Sequence, residues 1–409
     1  MSIVRRPLSL IVKPTGAACN LDCSYCFFLS KEALWGESEQ RMSHASLEAF
    51  LRRYLDSQPD GEVIIGWQGG EPTLRGLDFF REALRLGEEL RRPAQQVRHA
   101  IQTNATLIDD AWGEFLAAEG FLVGVSIDGP RHLHDMYRVN KAGRGTYDQV
   151  VRGYQVLRRH GVDTNILCTV NSANVAHPLE VYRHFRDDLG ADFVQFIPIV
   201  ERVEEGSEEI AEAGWRSEGE YVAYRQAGAG VTSRTVDGAA YGEFLVAIFD
   251  EWVARDVGTV FVQDFDVTLG AVFGQHSLCV RAPECGTQLA VEHTGDVYSC
   301  DHFVEPGYLL GNINEESLAE LASRPAQVEF GRAKRTALPA QCRECPVRWA
   351  CNGGCPKDRF ATTVTGEPGL NYLCPGYFRF FTHVTPSMFE MASLLRSGRP
   401  AADVMAARR

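Results

Sequence analysis

The first chemistry visible in this sequence is sulfur chemistry. Cys19-Asn-Leu-Asp-Cys23-Ser-Tyr-Cys26 sets three thiols at spacings of four and three residues. Three thiolates can wrap one corner of a cubane [4Fe–4S] cluster and leave one of its four irons open, a position for a substrate or cofactor. A structural zinc site is closed by a fourth ligand, but the residues that follow are Phe27, Phe28 and Leu29. Eight more cysteines lie toward the C-terminus: Cys279, Cys285, Cys300, Cys342, Cys345, Cys351, Cys355 and Cys374. Eight thiolates close two four-ligand sites, and a fully ligated cluster is suited to electron transfer. The spacing does not say which four belong together, and two zinc sites are the competing reading. Cys168, mid-strand in TNILCTV, reads as a small buried hydrophobe.

These cysteines need a scaffold, and the first two hundred residues supply its pattern. Strand-like runs LSLIVKP, VIIGWQ, VRHAIQT, FLVGVSID, TNILCTV and FVQFIPI alternate with amphipathic helical stretches. Ser43 and Asp109 stand where helix caps belong. Six β-α repeats imply an α/β fold with a parallel sheet, an open barrel or a doubly wound sheet. Ligands then collect at the C-terminal ends of the strands. Polar residues cluster at those ends: Gln68, Gly69, Gly70 and Glu71; Gln102 and Asn104; Ser126 and Asp128; and Arg138 just beyond. The cysteine triplet follows the first strand. Residues 201–234, rich in Glu, Gly and Arg, are expected to form a loop, with an acidic run at 201–220 that reads as a solvated surface. A linking helical segment is expected over 235–274, with a helix at about 238–256. A metal-organised region is expected over 275–385, since so irregular a segment needs staples. A C-terminal helix and tail follow at 386–409, the tail fraying.

The gross numbers narrow the partners. The chain has 409 residues and a net charge of -13, so nucleic acid is not an expected partner. No apolar run is long enough to span a bilayer. The opening MSIVRRPLSLIVKP resembles a signal peptide only briefly, because Lys13-Pro14 ends its apolar run. A cytoplasmic location follows, where twelve cysteines are expected to be thiols or metal ligands.

The C-x3-C-x2-C run, with an aromatic residue, Tyr25, before its third cysteine, resembles the signature of radical S-adenosylmethionine (SAM) enzymes. The resemblance implies a partial (β/α)6 TIM-like barrel. It implies that SAM chelates the open iron of a cluster held by Cys19, Cys23 and Cys26, and that reduction cleaves SAM to a 5′-deoxyadenosyl radical. The Gly69-Gly70-Glu71-Pro72 segment would contact the methionine amino group, with the Glu71 carboxylate suited to an ammonium, and Arg138 the methionine carboxylate. Tyr25, Gln102, Asn104, Ser126 and Asp128 complete the expected SAM surroundings. The C-terminal cysteines resemble the SPASM extension, which holds two auxiliary [4Fe–4S] clusters. In that resemblance Cys279, Cys285, Cys300 and Cys355 hold one, and Cys342, Cys345, Cys351 and Cys374 the other. A simpler grouping of Cys342, Cys345, Cys351 and Cys355 stays open.

Across nearly its whole length the chain resembles the anaerobic sulfatase-maturating enzymes, through PLSLIVKPTGAACNLDCSYCFF, WQGGEPTL, IQTNATLID, FLVGVSIDGP, VQFIPIVERV and VYSCDHFV. That family converts a cysteine or serine in an unfolded sulfatase polypeptide, within a [C/S]-x-[P/A]-x-R motif, to Cα-formylglycine. The resemblance makes Asp301, in its Cys-Asp pair, the expected base, and implies an electron donor such as flavodoxin or ferredoxin. Gln68, beside the SAM loop, is expected to meet the peptide. Competing readings are a SPASM enzyme that crosslinks another ribosomal peptide, a dehydrogenase of a small alcohol, and a zinc-stapled binding protein. The first strand falls within ten residues of the start, which leaves no place before it for the leader-recognition domain common among the peptide crosslinkers.

Overall fold

The computed structural model describes residues 7–36 and 41–408. The start of the signal-like run, residues 1–6, lies outside these. Six parallel strands stand where the alternating pattern puts them: β1 (Ser9–Val12), β2 (Gly61–Trp67), β3 (Gln95–Thr103), β4 (Leu122–Ser126), β5 (Asp163–Val170) and β6 (Phe193–Pro198). The intervening helices are α1 (His44–Ser57), α2 (Gly76–Leu90), α3 (Asp110–Ala118), α4 (Tyr147–Arg159) and α5 (Pro178–Arg183). Ser43 caps α1 by accepting from the Ser46 N–H, and Asp109 caps α3 by accepting from the Trp112 N–H. The α1 stripe Leu47, Phe50, Leu51, Tyr54 and Leu55 is buried, the spacing that turns one helix face to a sheet. Val12, Trp67 and Ile101 lie in register across β1, β2 and β3, so the residues just beyond them emerge at one end of the sheet.

The sheet is larger than six strands. β7 (Phe261–Val262) adds in parallel to β6, within the segment expected only to link. On the other side β8 (Gln288–Val291) pairs in parallel with β1, Ser9 opposite Gln288 through Val12 opposite Val291. β9 (Asp296–Tyr298) and β10 (Leu309–Asn312) continue it antiparallel, giving ten strands in one open sheet. The cysteine-rich region is therefore joined to the first strand by a backbone ladder and does not begin a separate sheet.

Three further expectations are corrected. Residues 201–234 are a folded strap, not a loop. Arg202–Val203 pairs with Gly230–Val231, Arg216–Ser217 with Glu220–Tyr221, and Val203, Ala211, Trp215 and Tyr224 form a small core of their own. Within its acidic run Glu204, Glu205, Glu208 and Glu209 are exposed, whereas Glu201 is buried against Arg234 at 2.9 Å. The boundary drawn at 385/386 falls inside one helix: α6 (Gly238–Arg255) and α7 (Gln263–Val272) pack against α8, which runs from Cys374 to Arg396 with Pro386 in its interior. The tail does not fray, because Ala401–Ala407 forms a short 3-10 helix with Val404 fully buried in the core. No helix among the described residues is long and apolar enough to cross a membrane.

α8 begins with a cysteine, so its docking fixes that thiol. A Cβ on Gly376 would sit 2.0 Å from the Gly238 carbonyl oxygen, and one on Gly242 would sit 2.4 Å from the Gly376 Cα. Only glycine allows the two helices this close. Gly376→Ala should therefore destabilise the protein by about 1–3 kcal/mol or more. Gly307→Ala, where an added Cβ meets nothing within 4 Å, should stay within about 0.5 kcal/mol of the parent. Anaerobic denaturant melts of the two variants measure both.

Candidate active site

The triplet loop follows β1 and is held on several sides. The Asp22 N–H donates to the Val139 carbonyl and the Ser24 N–H to the Tyr137 carbonyl, which knits the loop to the segment after Asp128. The Gly70 N–H donates to the Gly16 carbonyl and the Glu71 N–H to the Ala18 carbonyl. A Cβ on Gly70 would lie 2.0 Å from the Ala18 oxygen, so glycine is required for this approach. Asn104, at the end of β3, donates to Asn20 Oδ1 at 2.9 Å and lies 3.8 Å from the Cys19 sulfur.

The expected SAM surroundings converge here. The Glu71 carboxylate is buried and accepts four hydrogen bonds: the Thr73 N–H (3.0 Å) and hydroxyl (2.6 Å), the Thr103 hydroxyl (2.7 Å) and the Asn104 N–H (2.8 Å). Three of these bonds end on Oε1 and one on Oε2, so the carboxylate braces the ends of β2 and β3 and keeps acceptor capacity on Oε2. Asp128 accepts from the Tyr25 hydroxyl at 2.5 Å, from Arg138 Nε at 2.9 Å and from the Thr169 N–H at 3.0 Å. Arg138 thus spends its Nε on Asp128 and lies over the Tyr25 ring, its centre 5.5 Å away. Tyr25, Asp128 and Arg138 form one buried unit behind the loop. Gln102 donates to the Ser126 hydroxyl at 2.9 Å, and both stay partly exposed at the strand ends. Gln68 is partly exposed and bonds through its backbone N–H to the Val12 carbonyl at 2.8 Å, beside the triplet strand.

The electrostatics suit metal ligands. Burial pushes the Cys23 thiol up to about 12, only partly offset by Arg138. Burial and then Glu71 raise Cys19, and burial raises Cys26. Thiols held neutral at ordinary pH are poor nucleophiles. Three of them in one loop, each opposed by burial to becoming a thiolate, make a donor set that needs a metal's charge to ionise. All twelve cysteines are unpaired.

The C-terminal thiols fall into two groups. Burial raises Cys300, and Cys355, Asp301 and Cys279 raise it further; Cys355 is pushed to about 12 by burial with Asp358 and Cys279 contributing; Cys285 is raised by burial and by Cys279. Cys374 is pushed to about 12 by burial and then by Cys351, Cys342 and Cys345. Cys355 therefore keeps company with the earlier cysteines, and Cys374 with the later ones. Cys351 and Cys355 are joined by Asn352, Gly353 and Gly354, all left-handed with φ of 46°, 74° and 62°. The chain reverses sharply between these two cysteines.

Asp301 follows Cys300, beyond β9. Lys13, the first residue past β1, places its ammonium 2.5 Å from Asp301 Oδ1, 3.2 Å from the centre of the Phe28 ring and 3.7 Å from Glu292 Oε1. Burial pushes the Asp301 carboxyl up, but Lys13, His302 and Lys31 pull it down further, so it is held ionised below the usual carboxylate range. Sequence reasoning missed Lys13. Its signal was a lone lysine closing an apolar strand directly before the triplet loop. It also missed the strap's part: Arg216 grips Asp22 of the triplet loop at 2.8 and 2.9 Å, and Gln226 reaches Glu305 and the His302 carbonyl beyond Asp301. The strap thus joins the rims of both cysteine regions.

Comparison with known proteins matches this arrangement. The radical SAM superfamily model covers residues 14–185, and the SPASM iron–sulfur cluster-binding domain model covers residues 279–346. The chain is 42% identical, over 98% of its length and 95% of the relative's, to the serine-type anaerobic sulfatase-maturating enzyme of Bacteroides thetaiotaomicron. It is 31% identical, over 95% of its length and all of the relative's, to the cysteine-type enzyme of Clostridium perfringens. A solved structure of native anSMEcpe with bound AdoMet and peptide superposes with a TM-score of 0.80 at 31% identity, covering 95% of this chain and 99% of that one. Polar strand ends beside three partly buried thiols, a carboxylate delivered from the cysteine-rich region, and similarity along the whole chain lead to one assignment: this chain belongs to the anaerobic sulfatase-maturating enzymes of the radical SAM superfamily, which use a [4Fe–4S] cluster with SAM and carry further iron–sulfur clusters in a SPASM domain.

Proposed function

We propose that this protein oxidises a serine or cysteine of an unfolded sulfatase polypeptide, within a [C/S]-x-[P/A]-x-R motif, to Cα-formylglycine. The observation that carries the reading is Asp301: a carboxylate held ionised by Lys13, next to a cysteine of one region and packed against the strand that launches the other. Higher identity to the serine-type relative than to the cysteine-type one, 42% against 31%, favours serine as the preferred target. Twelve unpaired thiols fit a reducing compartment, so we place the reaction in the cytoplasm, with a flavodoxin or ferredoxin as electron donor.

In this reading Cys19, Cys23 and Cys26 hold the SAM cluster. Gly69, Gly70, Gln102, Asn104 and Ser126 line the SAM surface, and Glu71, Tyr25, Asp128 and Arg138 keep that surface in shape from behind. Cys279, Cys285, Cys300 and Cys355 hold one auxiliary cluster, and Cys342, Cys345, Cys351 and Cys374 the other. When bound, SAM on its cluster supplies a radical that removes a hydrogen atom from the target Cβ, and the auxiliary clusters supply an acceptor for the remaining electron. Asp301 takes the hydroxyl or thiol proton. Because Lys13 keeps its carboxyl unusually acidic, that transfer is favourable only as the target group itself loses basicity during oxidation. Serine then gives the aldehyde directly, and cysteine gives a thioaldehyde that water converts to the aldehyde with release of hydrogen sulfide. Gln68, beside the triplet strand, faces the peptide.

The decisive experiment is mass spectrometry of an anaerobic reaction containing reconstituted enzyme, SAM, a reductant and peptides with S-x-P-x-R or C-x-P-x-R. An aldehyde at the target residue, formed faster from serine, is the expected result; SAM cleavage with both peptides unchanged would refute the substrate. Asp301→Asn should cut aldehyde formation by about 100-fold or more while 5′-deoxyadenosine release falls much less; equal losses in both would remove Asp301 as the base. Replacing Cys19, Cys23 and Cys26 together by Ala should abolish SAM cleavage yet leave the iron of the other two clusters in place, as iron analysis and EPR of the variant report.

A further inference from the structure

Three cations stand among the C-terminal cysteines, Lys334 and Arg281 buried and Arg359 partly so, and one of them has a buried nitrogen with no partner. Lys334 donates to the carbonyls of Val280 (3.2 Å) and Ala282. Arg359 spreads its fork over four carbonyls, those of Lys334 (2.7 Å), Asn352 (3.0 Å), Gly353 (3.0 Å) and Gly354 (3.3 Å). It therefore braces the left-handed run between Cys351 and Cys355. Arg281, 3% exposed, gives Nη2 to Asp264 at 2.9 Å, whereas its Nη1 is buried with no hydrogen-bond partner.

Arg281 follows Cys279 by two residues, yet its contacts lead to the other group. Its guanidinium lies 4.2 Å over the Tyr377 ring and 5.0 Å from the Phe381 ring centre, both on the helix that begins at Cys374. Asn352, adjacent to Cys351, donates to the Arg281 carbonyl at 2.7 Å. A charged donor buried without an acceptor is costly, and the protein offers this one a single carboxylate.

We infer that Arg281 sets the reduction potential of the auxiliary cluster assigned to Cys342, Cys345, Cys351 and Cys374, by donating its Nη1–H to a sulfur of that cluster. The inference rests on the ligand assignment made above. A cation and an N–H donor at a cluster sulfur favour the reduced, more negative state and so raise the potential. The other auxiliary cluster lies on the Asp301 side, through Cys300. Arg281 therefore makes the outer cluster the better acceptor, so that one electron passing from the Asp301-side cluster oxidises that cluster and reduces the one beside Arg281.

The test is an anaerobic redox titration of the holoenzyme followed by EPR, with Cys374→Ala used to identify the signal that depends on this group. Arg281→Gln should lower that midpoint by about 59 mV or more, the one-electron equivalent of a tenfold change, and leave the other two in place. Asp264→Asn, which strips Arg281 of its counter-charge, should move the same midpoint upward. Opposite shifts cannot come from general loosening of the fold. If Arg281→Gln fails to retain the cluster, the upward shift in Asp264→Asn decides alone. An unmoved midpoint in a variant that retains all three clusters overturns the role of Arg281. Retention of all three clusters in Cys374→Ala overturns the ligand assignment instead, and this proposal with it.

Discussion

A lysine ammonium with 1% of its side chain exposed is the constraint around which this structure is arranged. A buried charge must be paired, and Lys13 finds its partners in three parts of the chain: Asp301 after the third C-terminal cysteine, Glu292 at the end of β8, and the Phe28 ring just past the triplet. Meeting all three requires that the cysteine-rich region lie directly against β1. The ladder from Ser9–Val12 to Gln288–Val291 provides that, and it delivers Asp301 to the mouth of the sheet as a carboxylate already ionised and oriented. The ion pair thus trades basicity at Asp301 for a fixed position.

The two ends of the site are built on different principles. Around the triplet, specificity comes from backbone: Gly70 lets one loop lie on another, and Glu71 gathers four donors from two strand ends. Around the C-terminal cysteines it comes from cations, with Arg359 and Lys334 bracing turns through carbonyls while Arg281 stacks on aromatic rings.

Much of this was legible in the sequence, for identifiable reasons. The six strands and their helices announce themselves by period and by the Ser43 and Asp109 caps. The triplet announces itself by spacing and by its position after β1. What stayed hidden is what depends on partners far along the chain. Lys13 reads as a strand's last residue until Asp301 arrives. The strap's strands are two residues long, too short for any periodicity to register. The boundary expected at 385/386 falls at Pro386, but Phe380, Phe381, Val384, Met388 and Met391 bury one continuous face across it, and that packing overrides the lost hydrogen bond. The partners that hold Glu71 and Arg138 in place, Thr73, Thr103, Asn104 and Asp128, are set by the fold and cannot be read from residue type.

The pairing of Ser9–Val12 with Gln288–Val291 also orders events in time. During synthesis the first strand emerges early, and β2 can cover one of its sides once it follows. Its other side stays an open hydrogen-bonding edge until residue 288 has left the ribosome, an invitation to misplaced strands for most of translation. Lys13, at the tip of that edge, is a charge that tolerates water and resists burial against a wrong neighbour. The residue that later anchors Asp301 thus first serves as a guard on an unfinished sheet.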